Sequence, residues 1–142
     1  MKELSVIQKT YDCIKWYVPI IERLPKIHKF TLGDRIINQL YDLLEGLIKA
    51  KYAKNKLSQL ESLNIQLDIL RYQTRMLLDF NKMSVERYEY AIKLIDEIGI
   101  ELGGWIKFSY QLSVISYQSM DGWLIFVFLR IENRIFPISS AS

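Results

Sequence analysis

The chain has 142 residues and a net charge of +3; half of its residues are apolar or aromatic and a quarter are charged. This composition is typical of one globular domain and excludes collagen-like, low-complexity and disordered chains. Its single cysteine, Cys13, excludes an intrachain disulfide framework, and its single histidine, His28, excludes any site that needs two imidazoles from one chain.

The first predicted helix carries apolar residues at alternating spacings of four and three. They are Ile7, Tyr11, Ile14, Val18 and Ile21. This spacing is typical of the buried seam of a bundle helix, because seven residues nearly complete two turns. Pro25 disfavours a helical conformation at the residue before it, so we expect the helix to end at Leu24. Pro19, inside the helix, is expected to kink it.

Three further predicted helices show the same spacing. The second carries Ile36, Leu40, Leu43, Leu47 and Ala50. The third carries Leu60, Leu63, Leu67, Leu70, Thr74 and Leu77. The fourth carries Val85, Tyr88, Ile92, Ile95, Gly99, Leu102 and Ile106. No strand-like alternation competes with these patterns before residue 108.

Short polar connections separate the predicted helices, at residues 53–56 and 81–84. Thr31 is the predicted N-cap of the second helix, and Ser84 that of the fourth. Short links make consecutive helices antiparallel neighbours. The predicted fold class is therefore all-α, an antiparallel up-down-up-down four-helix bundle over residues 1–107.

Residues 108–142 have a different pattern. The sequence Ser-Tyr-Gln at 109–111 recurs at 116–118, and residues 123–136 are apolar without bundle spacing. We interpret 108–142 as a C-terminal appendage, either disordered or docked on the bundle or a partner. The longest apolar run, residues 123–129, is too short to span a bilayer, and the N-terminus lacks the apolar core of a secretory signal. We therefore expect a cytoplasmic protein that does not contact membranes.

The sequence lacks the residue patterns of catalytic bundles. A di-metal bundle needs a Glu-x-x-His pair, and the residue three positions before His28 is Pro25. Cys13 fits a small buried apolar residue better than a nucleophile. Gly103 and Gly104 fit no nucleotide-binding fingerprint, whereas Asp96, Glu97 and Glu101 fit a solvated acidic face. We predict a protein that is not an enzyme and has no catalytic residue, cofactor or metal.

Basic residues gather in three regions, each of which also has a purely structural explanation. One is Lys49, Lys51, Lys54 and Lys56, at the end of the second helix, where cations are favoured by the helix dipole. Another is the pair Arg71 and Arg75, whose repulsion Asp68 and Asp79 can relieve. The third lies on and after the first helix. Their coexistence makes nucleic-acid binding a hypothesis.

Two predicted helices carry a second apolar stripe. On the third helix it comprises Ile65, Ile69, Tyr72, Met76 and Phe80. On the fourth it comprises Tyr90, Leu94, Ile98 and Trp105. One stripe per helix is enough for a four-helix core. A second stripe indicates either a wide core face or a face that subunits bury against one another.

Three segments resemble the Avd proteins, the accessory variability determinants of diversity-generating retroelements. Residues 26–36, Lys-Ile-His-Lys-Phe-Thr-Leu-Gly-Asp-Arg-Ile, resemble the segment that leads into that family's second helix. Residues 83–88, Met-Ser-Val-Glu-Arg-Tyr, resemble the opening of its fourth helix. Residues 96–106, Asp-Glu-Ile-Gly-Ile-Glu-Leu-Gly-Gly-Trp-Ile, resemble the end of that helix. The resemblance covers roughly residues 1–107, and the tail has no counterpart in the family.

The resemblance implies a non-enzymatic bundle that assembles as a homopentameric barrel. Such proteins bind a reverse transcriptase and RNA or DNA, and they support mutagenic copying of a template RNA. The basic surface of the barrel would correspond here to Lys9, Lys15, Arg71, Arg75, Lys82 and Arg87, which are chosen by charge rather than by motif. The alternative is a stand-alone bundle of the wider 23S rRNA intervening-sequence superfamily, which would act as an interaction or RNA-binding module.

Overall fold

A computed structural model describes residues 2–120, with side chains for residues 5–115. Its four long helices are α1 (Lys2–Glu22), α3 (Asp34–Tyr52), α4 (Leu57–Asp79) and α5 (Val85–Met120). The single-turn helix α2 (Lys26–His28) continues through a π-turn (Lys29–Gly33) into α3. The described residues contain no strand, which confirms the predicted all-α class.

The long helices form a closed ring in which each packs against two others. Helix α1 contacts α3 and α5, and α4 contacts the remaining sides of α3 and α5. Gln39 and Gln59 show that α3 and α4 are antiparallel. The Gln39 side-chain amide donates to the Gln66 carbonyl (3.0 Å), and that of Gln59 donates to the Gly46 carbonyl (3.1 Å). Moving forward along α3 therefore means moving back along α4.

The predicted seams of the second and third helices are confirmed in α3 and α4. Every residue predicted for these two seams is buried. The polar member of the set, Thr74, donates a hydrogen bond to the Leu70 carbonyl (2.8 Å) and is hydrogen-bonded to the Tyr17 hydroxyl (2.6 Å). Since Thr74 has one hydroxyl hydrogen, the Tyr17 hydroxyl is the donor to Thr74. This buried pair joins α1 to α4 across the core.

The predicted seams of the first and fourth helices are partly wrong. Tyr11 is 51% exposed and Val85 is 60% exposed. Ile14 and Ile21 of the predicted first seam are buried, and the other buried residues of α1 are Val6, Thr10, Cys13, Tyr17 and Ile20. The buried seam of α5 is Ala91, Ile95, Ile98, Leu102 and Trp105. The α1 seam contains a polar and a small residue beside a stripe of larger ones. Thr10 tolerates burial because its hydroxyl donates to the Val6 carbonyl (2.8 Å).

The helical stretch leading into α3 begins earlier than predicted. The Pro25 carbonyl accepts hydrogen bonds from the amides of His28 and Lys29 (2.9 and 2.8 Å), so helical structure starts directly after Pro25. Thr31 lies inside this stretch, and its hydroxyl donates to the Ile27 carbonyl (2.6 Å) instead of capping an amide. The prediction of Thr31 as N-cap is therefore wrong. Pro25 does separate α1 from the helices that follow, as predicted.

Capping residues determine the conformation of the turn between α4 and α5. Asn81 has a φ of 58°, and the amides of Asn81 and Lys82 donate to the carbonyls of Leu78 and Leu77. These two bonds form a Schellman motif with asparagine in the left-handed position. At the start of α5, the Ser84 hydroxyl accepts a hydrogen bond from the Arg87 amide (3.2 Å). The predicted N-cap at Ser84 is thereby confirmed.

Helix α5 continues well beyond its predicted end near residue 106, as far as Met120. Gly103 and Gly104 therefore lie inside the helix, although glycine often ends a helix. A close contact with a neighbouring helix occurs at Gly99, where an added Cβ would lie 2.9 Å from Arg71 Nη2. At Gly103 an added Cβ would meet nothing within 4 Å. The division at residue 107 stays a prediction, and the apolar segment 123–136 lies outside the described residues.

Cys13 is a buried core residue, as predicted, and it makes stability sensitive to alkali. Burial raises the pKa of its thiol to about 12 from an ordinary 9.0. Above pH 9.0 the unfolded thiol loses its proton while the folded thiol keeps it, so stability falls as pH rises. We expect a loss of up to about 1.4 kcal/mol per pH unit between 9.0 and 12.

Urea unfolding across that pH range tests this prediction. The Cys13→Ala variant lacks the thiol and should show a smaller slope of unfolding free energy against pH, with the remainder coming from groups such as Tyr17, whose pKa burial also raises. Equal slopes for the two proteins would show that the thiol titrates alike in both states.

Candidate nucleic-acid and subunit surfaces

The six predicted nucleic-acid-binding residues lie on three helices and one link. Lys9 and Lys15 are on α1, Arg71 and Arg75 on α4, Lys82 in the α4–α5 link and Arg87 on α5. Their role in binding stays a prediction.

Arg71 and Arg75 are held by carboxylates. Arg71 lies 3.5 Å from Asp68 on its own helix and 3.3 Å from Asp96 on α5, and Arg75 lies 3.5 Å from Asp79. Asp68 and Asp79 therefore relieve the repulsion between the two arginines, as the structural explanation of this pair predicts. All of these groups remain partly exposed, so the guanidinium groups can exchange a carboxylate for another anion at small cost.

Lys9 forms an ion pair with Glu101 of α5, on the side of that helix opposite to Arg71. Its ammonium lies 3.0 Å from Glu101 Oε2, and this hydrogen bond raises the pKa of Lys9. Glu101 is only 19% exposed, so it is not part of a fully solvated acidic face. Because Lys9 faces the α1–α5 groove and Arg71 the α4–α5 groove, α5 separates the two cations within one chain.

The other three candidates have no ion pair with a described residue. The Lys15 ammonium lies 5.7 Å from the centre of the Tyr11 ring, and both side chains are exposed. Arg87 is exposed at the start of α5, and Lys82 is half-buried in the link before it. Lys15 and Arg87 are therefore the most accessible of the six for a phosphate.

The lysines at the end of α3 interact with aromatic rings. Lys51 lies 5.3 Å from the centre of the Tyr52 ring, and Lys56 lies 5.7 Å from that of Trp105. Lys56 also donates to the Lys51 carbonyl (3.0 Å). This region combines positive charge with a Tyr52 ring that is largely exposed.

The second apolar stripe of α4 points to solvent along its whole length. We call it the α4 outer stripe: Ile65, Ile69, Tyr72, Met76 and Phe80, each between 44% and 67% exposed. The spacing places it opposite the buried seam. Its reading as a wide core face is therefore wrong, and the face is open to a partner.

The second stripe predicted on the fourth helix is not an exposed face. Ile98 and Trp105 are buried in the core, and Leu94 is half-buried. Tyr90 is exposed but packs against Trp16 of α1, with ring centres 5.2 Å apart. This stripe belongs mainly to the interior because the true seam of α5 lies between the two predicted stripes.

A polar cleft between α3 and α4 was missed by the sequence analysis. It has a volume of about 280 Å³ and is lined by Asp42, Glu45, Gly46, Lys49, Gln59, Ser62, Leu63 and Gln66. Within it, Gln66 Oε1 is buried without a hydrogen-bond partner. The seven-residue spacing of Gln59, Gln66 and Gln73 could have indicated this polar side of α4.

No candidate metal site is found in the described part of the chain. It contains no group of three or more His, Cys, Asp or Glu side chains that could hold a metal ion. His28 is half-buried, with its ring centre 6.2 Å from that of Phe80. Among residues 2–120, no helix is long and apolar enough to cross a membrane.

Comparison with known proteins adds one match. A family model described as bAvd-like matches residues 4–109 of the chain. No curated protein matches the chain. The matched residues contain α1, α3, α4 and the bundle part of α5.

Proposed function

We propose, from the premise that this chain belongs to the bAvd-like family, that it is a non-enzymatic accessory subunit of a diversity-generating retroelement. In this function it assembles as a homopentameric barrel and binds the reverse transcriptase together with template RNA or DNA. Its basic surface supports mutagenic reverse transcription by holding nucleic acid rather than by chemistry.

The observation that carries the proposed assembly is the α4 outer stripe. Five large apolar side chains on one helix face form an exposed patch of the kind that marks interaction sites. A closed ring needs two different complementary faces on each subunit. Exposed Tyr41 and Ile48 of α3 and Tyr11 of α1 supply apolar surface away from the α4 outer stripe.

Substitution on the α4 outer stripe tests the assembly. We expect the unmodified chain to elute as a particle of five times its 16.8 kDa mass in light scattering coupled to size exclusion. Ile69→Glu should give monomers, because a buried unpaired carboxylate is strongly unfavourable at an interface. Ile100→Glu is the matched control, since Ile100 is also exposed but lies on α5.

Both variants should keep the helical content of the unmodified chain in circular dichroism. A monomeric unmodified chain would contradict the pentamer, and unchanged assembly of Ile69→Glu would remove the α4 outer stripe from the interface.

Nucleic-acid binding would be electrostatic and spread over the ring. The chain carries a net charge of +3, and Lys15 and Arg87 are exposed without an ion pair among the described residues. A single phosphate contact is weak and contains no sequence information. Five copies of the same surface multiply such contacts through effective concentration.

Salt titration of binding to a structured RNA tests this step. For the unmodified chain, the logarithm of the binding constant should fall steeply with the logarithm of salt concentration. Arg87→Ala should weaken binding and reduce that slope by about 1 for each phosphate that the variant no longer neutralises. Lys93→Ala, at a cation elsewhere on α5, is the control. Equal slopes for all three proteins would exclude Arg87 from the nucleic-acid surface.

The alternative function is the stand-alone bundle of the 23S rRNA intervening-sequence type. It is favoured if the gene lies inside a 23S rRNA locus, and the retroelement function is favoured if a reverse-transcriptase gene lies beside it. Co-purification of the full chain with the neighbouring reverse transcriptase tests the proposed partner. Absence of that complex, with the assembly intact, would favour the alternative.

A further inference from the structure

Helix α5 is longer than the bundle it belongs to. Lys9 pairs with Glu101, and α1 begins seven residues before Lys9, so the start of α1 lies level with residue 108 of α5. At the same end, Lys56 of the α3–α4 link contacts the Trp105 ring. The last twelve residues of α5, 109–120, therefore project about 18 Å beyond the bundle.

The end of α5 carries its own exposed apolar face. Phe108, Leu112 and Ile115 are 56%, 50% and 58% exposed, and their spacing of four and three places them on one side of the helix. We call these three residues the α5 end stripe. It begins at Phe108, one residue before the end of the family match, and it is separate from the α4 outer stripe. An isolated helix face of this kind is unfavourable in water unless something covers it.

The residues after Met120 are numerous and apolar enough to cover the α5 end stripe. Directly after Met120 come Asp121 and Gly122, a dipeptide that favours a reversal of chain direction. The next seven residues, 123–129, are all apolar. The α5 end stripe lies between about 8 and about 18 Å back from the end of α5, and seven extended residues span about 23 Å. A reversal at 121–122 would therefore let residues 123–129 reach the α5 end stripe.

We propose that residues 123–129 pack on the α5 end stripe of the same chain and cover it. The short tether of the intervening residues gives the segment a high effective concentration at this face, which a molecule outside the same assembly lacks at ordinary protein concentration. This cover is independent of the proposed function, because it involves neither the α4 outer stripe nor the predicted nucleic-acid-binding residues.

Paired cysteines in the full chain test the proposal. Leu112→Cys combined with Phe126→Cys should form a disulfide within one chain under mild oxidation, seen as the linked peptide in mass spectrometry and as monomer mobility in a non-reducing gel. Ile100→Cys combined with Phe126→Cys is the matched control, because Ile100 is exposed on the same helix about 18 Å from residue 112. The native Cys13 is buried and should not link.

A disulfide between two chains in the 112/126 pair would overturn the proposal in favour of a second copy. Equal linking by the 112/126 and 100/126 pairs would also overturn it. A second measurement does not depend on disulfide geometry: the Leu112→Cys thiol should react about tenfold more slowly with a maleimide than in a full chain that also carries Leu124→Ser and Phe126→Ser. Equal rates would again overturn the proposal.

Discussion

Replacing Tyr17 by alanine is expected to lower the free energy of unfolding by about 3–5 kcal/mol. The side chain is fully buried in the C-terminal part of α1, and its ring packs edge-on against Trp16 with ring centres 5.1 Å apart. Alanine would leave a cavity in a core that the surrounding helices fill only partly by relaxing. Urea unfolding followed by circular dichroism at 222 nm measures the change.

The hydroxyl group of Tyr17 contributes separately from the ring. Tyr17→Phe removes one buried hydrogen bond and should cost about 1 kcal/mol. Thr74→Val leaves the Tyr17 hydroxyl buried without an acceptor and should cost about 1–3 kcal/mol. The double variant should cost less than the two single changes added together, because it removes both polar groups at once. Strict additivity would mean that the two hydroxyls do not interact.

Replacing Gly46 by leucine is expected to destabilise the bundle by about 1–3 kcal/mol through overpacking. A Cβ at this position would collide with the Leu63 side chain of α4, which is itself buried. The larger side chain would also push away Gln59, whose amide donates to the Gly46 carbonyl. Thermal unfolding should show a lower midpoint.

Substitution of a second glycine should change stability in the opposite direction. Gly103 lies inside α5, where an added Cβ meets nothing within 4 Å. Gly103→Ala should therefore stabilise the protein by about 0.5–1 kcal/mol, because alanine loses less backbone entropy in a helix. The same unfolding experiment serves both variants. Destabilisation by Gly103→Ala would show that this part of α5 has a close neighbour.

Hydrophobic periodicity identifies the buried seam in some helices and not in others for a physical reason. In α3 and α4 the strongest leucine stripe is also the buried seam, so hydrophobic periodicity identifies the core directly. In α1 the seam passes through Thr10 and Cys13, and periodicity selects the neighbouring stripe of larger residues. In α5 apolar residues surround most of the helix, so spacing alone leaves its rotation undetermined.

The end of α5 was mispredicted for a similar reason. Gly103 and Gly104 are typical helix terminators, but both take part in a helix that continues for sixteen more residues after Gly104. Glycine penalties of about 1 kcal/mol each are small beside the packing of Leu102 and Trp105 on either side. Local propensity is therefore outweighed by tertiary burial.

Some ion pairs of the candidate site can be predicted from local sequence, and others cannot. The pairs Arg75–Asp79 and Arg71–Asp68 lie one helical turn apart and could be read from spacing. The pairs Arg71–Asp96 and Lys9–Glu101 join residues of different helices, and only the packing of α5 between α4 and α1 brings them together. The sequence therefore predicts which positions carry a positive charge. It does not predict which of these side chains a phosphate can reach, because that depends on helix packing.

The two glutamine-to-carbonyl hydrogen bonds between α3 and α4 bear on how the chain folds. They join residues close in sequence, 27 and 13 positions apart, across a link of only four residues. Closing so short a loop costs little chain entropy, so the α3–α4 hairpin can form early and present a template on which α1 and α5 condense. The pairing of α1 with α5 joins the two ends of the domain and has the largest loop-closure cost in chain entropy. A fixed register in the first hairpin leaves that late step few wrong alignments to sample.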